Sequence, residues 1–91
     1  MSRMSGFTAS VTWNAGSIAD GNEEVTTVSV PGAKLGDFAM VSAGVDVADL
    51  TLAAAVTAAN VVTIQLGNWT GGAIDLASAT YRVKVIPFDV I

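Results

Sequence analysis

The sequence predicts an all-β fold, a small antiparallel β-sandwich or barrel of about six strands. Three observations predict it. Apolar residues recur with period two, and β-branched residues fill the runs between Gly, Asn and Asp punctuation. No stretch carries a sustained helical period. At 91 residues the chain has the length of one domain, read as residues 1–91 with a short N-terminal arm over residues 1–6.

The first strand is expected over residues 7–14, "FTASVTWN", where Phe7, Ala9, Val11 and Trp13 alternate with Thr8, Ser10 and Thr12. That places Trp13 on the core face. "AGSIADGN" (15–22) reads as a loop with a glycine near each end. In "EEVTTVSVP" (23–31), Thr26, Val28 and Val30 take one side and Thr27 and Ser29 the other, and Pro31-Gly32 closes the strand as a turn.

"GDFAMVSAGV" (36–45) is apolar on both faces, with Phe38 and Met40 opposite Ala39, Val41 and Ala43. Such a strand is expected to be covered on both sides, by a second sheet and by a neighbouring subunit. "DVADLT" reads as a turn or short helical piece. "LAAAV" (52–56) is assigned to strand because "TAAN" leads tightly into "VVTIQLGN" (61–68), with Asn60 suited to a positive φ. The last strand, "ATYRVKVIPF" (79–88), sets Tyr81, Val83 and Val85 against Arg82 and Lys84. Between them lies "GNWTGGAIDLAS", a polar stretch around Trp69.

Composition narrows the function. The chain has no Cys and no His, which removes disulfides, the usual zinc and haem ligands, and Ser-His-Asp or Cys-His catalysis. Carboxylates are the remaining catalytic currency. Asp20, Glu23 and Glu24 surround one loop and Asp46 and Asp49 another, yet nothing sets the two opposite each other, so they read as turn residues that keep the surface wet. "DGNEE" lacks the spacing of a calcium loop. The expectation is a protein that is not an enzyme, with no catalytic residue, cofactor or metal.

The net charge is −4 with four basic residues, Arg3, Lys34, Arg82 and Lys84, too scattered for phosphate contacts, so no nucleic-acid partner is expected. The uncharged run from Leu50 to Ile74 is broken by Asn60, Gln65, Asn68 and Gly71-Gly72, so it predicts strands and turns of a soluble domain; no membrane partner is expected. "MSRMSGF" has no apolar stretch after its arginine and is not read as a secretory signal. Without such a signal, the sequon Asn68-Trp69-Thr70 reads as coincidental.

Charged residues make up 13% of the chain and apolar residues 52%. So few charges cover a monomer poorly, and subunit burial is the expected remedy. Two readings of Trp69 stand side by side. It plugs the end of the fold or touches a subunit, the glycines letting backbone come close, or it stacks on a sugar together with Trp13.

The order "SIADG…TTVSVPGAKLGDF…AANVVTIQLGNWTGGAIDLAS.TYRVKV", over roughly residues 16–86, resembles small β-rich virion structural proteins of tailed bacteriophages. "AAN…N.TGGAIDLAS" is its more distinctive portion, and Trp69 departs from it where a smaller or polar residue is expected. The resemblance implies a capsid decoration (cement) protein on the virion's capsid surface, partnered by the major capsid protein and by itself as a homotrimer. A tail or fibre module is the alternative within the virion, and a small carbohydrate-binding module the alternative outside it. Candidate assembly residues are Met1, Arg3, Met4, Phe7, Trp69, Phe88, Val90 and Ile91.

Overall fold

A computed structural model describes residues 6–89. It is all-β, with eight strands in antiparallel sheets and no helix: β1 Phe7–Trp13, β2 Gly16–Ile18, β3 Glu23–Ser29, β4 Phe38–Ala43, β5 Thr51–Ala58, β6 Val61–Gly67, β7 Ile74–Leu76 and β8 Ala79–Ile86. The six long strands lie where the sequence reading places them, five from their apolar patterns and β5 from the tight turn that follows it. The two three-residue strands, β2 and β7, occupy stretches read as loop, because three residues are too few to display a period.

Two three-stranded sheets face each other, in the orders β1-β8-β4 and β3-β6-β5. β2 and β7 form a separate two-stranded ribbon, with Gly16 opposite Leu76 and Ile18 opposite Ile74. The core lies between the sheets. β6 contributes Val62, Ile64 and Leu66, and β8 contributes Tyr81, Val83 and Val85, all buried. These are the inward halves of the two alternations read from the sequence. A central strand flanked on both edges is where a period-two pattern is held most firmly, since a one-residue slip would turn the whole apolar set to water. Ile18 and Leu76 extend the core into the ribbon. Trp13 joins it from β1, its ring meeting Tyr81 edge-on at 5.3 Å between centroids.

The β5–β6 hairpin turns at Asn60, which has φ 66° as its residue type suggests. Asn60 also joins the sheets' connections. Its Oδ1 accepts from Gly32 N at 2.8 Å, its carbonyl accepts from Val30 N, and its N–H donates to Ala33 O. Gly32 in turn lies against the Phe7 ring so closely that a Cβ there would sit 2.9 Å from Phe7 Cε1. The hairpin tip, the Pro31-Gly32 turn and the start of β1 are thereby gathered at one end. The ribbon stands at the other. The molecule is elongated, 46 × 20 × 18 Å.

β4 has the two apolar faces read from its sequence. Ala39, Val41 and Ala43 face the opposing sheet, half-buried, but the other face is open, with Phe38 and Met40 half exposed. One chain covers only one side of this strand.

Candidate assembly surfaces

The ribbon end is organised by Asn68. It is fully buried, and every polar atom of its side chain is engaged. Nδ2 donates to Ile18 O at 2.7 Å and to Gly72 O at 2.8 Å. Oδ1 accepts from Thr70 N at 2.9 Å and from the Thr70 hydroxyl at 2.7 Å. Two donors face two carbonyls and two acceptor sites face an N–H and an O–H, so only this amide orientation satisfies the network. The backbone adds two more bonds, Gly21 N to Asn68 O and Asn68 N to Asn22 O. Asp20 Oδ1 accepts from Gly71 N at 3.0 Å. One buried amide thus ties the β2 strand end, the 20–22 turn and the 70–72 turn together.

This explains the sequon. Asn68 and Thr70 are spaced two apart because the asparagine side chain caps the turn that the threonine closes. A glycan on Nδ2 would replace one of its two N–H donors with a sugar at a position with no access to water. The folded chain has no place for one.

Trp69 points away from this network and is 64% exposed. The plug reading therefore fails, because the neighbouring Asn68 fills the interior position instead. The glycine that admits the indole is Gly67, where a Cβ would sit 3.2 Å from Trp69 Nε1; Gly71 and Gly72 have open space around them. Trp13 packs on Tyr81, so the two tryptophans do not make a shared stacking platform. Burial pushes the Tyr81 phenol above its ordinary pKa of 10.0.

The opposite end carries Leu35, Phe38, Met40 and Phe88, each between 50% and 65% exposed. Asp37 fixes their backbone. Its Oδ2 accepts from Lys34 N at 2.9 Å, closing the 34–37 turn, and its Oδ1 accepts from Phe88 N at 3.1 Å, holding the chain as it leaves β8. Phe88 lies against Gly36, while Phe38 stands opposite Ile86 in the sheet. Phe38 and Met40 belong to the strand whose second apolar face is expected to meet a neighbouring subunit, though neither is among the candidate assembly residues; Leu35, in the turn before it, carries no such signal in the sequence.

Of the sequence-derived candidates, Phe88 belongs to this exposed end. Phe7 is half-buried on Gly32 and the core. Trp69 is at the far end of the molecule from Phe88. Met1, Arg3, Met4, Val90 and Ile91 lie outside the described residues.

The acidic loops do not converge on a cleft. Asp20 is bonded to Gly71, and Asp46 Oδ1 accepts from Ala48 N at 2.9 Å within its own turn. Among the described residues no group of three or more acidic side chains could hold a metal ion. No described helix is long and apolar enough to cross a membrane. No protein-family model matches the chain, and no curated protein matches it.

Proposed function

We propose that this chain is a virion structural protein, a capsid decoration module that stands on the major capsid shell by its apolar end and carries no catalysis of its own. The observation that supports this reading most is the exposure of Leu35, Phe38, Met40 and Phe88 together at one end of an elongated domain. Exposed apolar side chains gathered in one place mark a contact with another molecule. The resemblance to small phage virion proteins supplies the identity of that molecule.

Each copy offers a modest contact. A homotrimer repeats it three times, and avidity then exceeds one contact by orders of magnitude if all three engage. The ribbon end, with Trp69, would face outward from the shell.

The test uses particles stripped of the protein. Wild-type chain added back should decorate them, and the double variant Leu35→Ser/Phe38→Ser should not, although both proteins melt alike. Equal decoration by the variant would refute docking through this end. Light scattering on the free protein reads the oligomer separately; a stable monomer at micromolar concentration would remove the trimer from the proposal.

A further inference from the structure

The outer face of the β1-β8-β4 sheet has its own chemistry. β8 is the central strand, and Arg82 and Lys84 alternate on its outward side. Strand geometry sets their Cα atoms about 6.6 Å apart. The register flanks Arg82 with Ser10 and Ser42, and Lys84 with Thr8 and Met40. Together these six side chains line a concavity of about 600 Å³, and among the described residues no carboxylate lines it.

The placement is unusual for this chain. Eight acidic residues outnumber four basic ones, yet two of the four sit side by side on one strand face without an acid among the lining residues. Neither cation faces an acid across the register, so neither gains a cross-strand opposite-charge pair from the fold.

We propose that this concavity binds an extended acidic segment of a partner protein, with carboxylates at alternate positions. An extended chain presents residues i and i+2 on one side at the same spacing as Arg82 and Lys84. The first carboxylate takes a two-pronged hydrogen bond from the Arg82 guanidinium, and the second meets the Lys84 ammonium. The hydroxyls of Ser10, Ser42 and Thr8 donate to the remaining carboxylate oxygens, and Met40 covers the apolar residue at the end of the segment. This chain contains no Asp/Glu-x-Asp/Glu sequence of its own, so the segment belongs to a different protein. Two cations, with no aromatic ring among the lining residues and the single Phe38 ring beyond them on the same face, are too few for a single-stranded nucleic acid, which needs stacking platforms as well as charge. The site adjoins the apolar end and shares Met40 with it, but its charge chemistry rests on Arg82 and Lys84 and does not depend on what that end contacts.

The experiment is fluorescence anisotropy with the full chain at low salt. The probe is a labelled peptide with a Thr-Glu-Val-Glu-Thr centre. The control peptide has a Thr-Glu-Glu-Val-Thr centre, with the same charge and the wrong spacing, and an oligothymidylate tests the phosphate alternative. The Glu-Val-Glu peptide should bind saturably and more tightly than either. Arg82→Gln/Lys84→Gln should weaken it by at least about tenfold. Both positions are exposed, and an unchanged melting temperature checks that the variant folds. Amide shifts in labelled protein should map to Ser10, Ser42, Arg82 and Lys84. Absence of saturable binding, an unaffected double variant, or equal binding of the control peptide would overturn the proposal. Tighter binding of the oligothymidylate would also overturn it, in favour of a phosphate site.

Discussion

The two ends of this molecule are built from turns of similar length and resolve their chemistry in opposite ways. At the ribbon end the polar groups are satisfied from within, by Asn68, Thr70 and Asp20 bonding to carbonyls and N–H groups of the same loops. At the other end the backbone is also fixed, through Asp37 and Asn60, but Leu35, Phe38, Met40 and Phe88 are left about half exposed or more. A closed end needs nothing more. An apolar end held by its own hydrogen bonds suits the docking role proposed for it, since rigid presentation lowers the entropy lost on binding.

The largest effect is expected at Asn68. Asn68→Ala leaves Ile18 O without its partner in a buried position and Thr70 N in a partly buried one, and takes one of the two donors from Gly72 O, which costs about 3 kcal/mol and lowers Tm by roughly 15 °C. Asn68→Asp should be no better, because a carboxylate would face the two carbonyl oxygens that now accept from Nδ2. Thermal unfolding of the two variants measures this. A loss under about 1 kcal/mol in both would mean the ribbon is held by its strand pairing and not by the amide.

Asp37→Ala is the matching change at the apolar end. It removes the acceptor of Lys34 N and Phe88 N; Asp37 is itself buried, but both bonds are only partly buried, so water can replace part of what is lost. The expected cost is about 1–2 kcal/mol, with faster amide exchange at Lys34 and Phe88 as the local signature. A loss as large as that of Asn68→Ala would show that the two clamps are equivalent.

Much of the fold is legible in the sequence, and the reason is burial on one face. The alternation of Val62, Ile64 and Leu66 with Val61, Thr63 and Gln65 needs only the statement that one side is dry. The same holds for Tyr81, Val83 and Val85 against Arg82 and Lys84. Asn60 is readable because few residues other than glycine take a positive φ cheaply. The ribbon is not readable, since "GSI" and "IDL" pair through an asparagine fifty residues from Ile18. A buried, fully bonded Asn68 and a capping residue of an open turn are spelled alike. The outer faces are legible only in part. "FAMV" announces a second apolar face, but whether another molecule covers it depends on a surface outside this sequence. The same limit separates Trp69 the plug from Trp69 exposed on Gly67.

A smaller effect is expected in alkali. The chain has a single tyrosine, so its phenol can be followed by ultraviolet absorbance without overlap. Burial favours the neutral form of Tyr81 and raises its pKa above 10.0. Its stabilising contribution is therefore complete below pH 10 and is lost as pH rises through the higher, folded value. The titration midpoint should lie above 10.0 in the folded chain and return to the ordinary value in denaturant. A folded midpoint at or below 10.0 would contradict the packing between the sheets.

The smallest effect on stability is expected where the effect on assembly is greatest. Leu35→Ser/Phe38→Ser removes exposed apolar surface and should change the free protein's stability by less than about 1 kcal/mol. A larger loss would mean that these side chains belong to the core.

The most direct measurement compares the two ends on the particle. The chain has no cysteine, so Phe38→Cys and Trp69→Cys each introduce one thiol at an exposed position. Maleimide labelling is followed on each variant, free and bound to the shell. The account predicts that binding protects the thiol at position 38 and leaves the thiol at position 69 as reactive as in the free protein. Protection at position 69 with position 38 still reactive would contradict it.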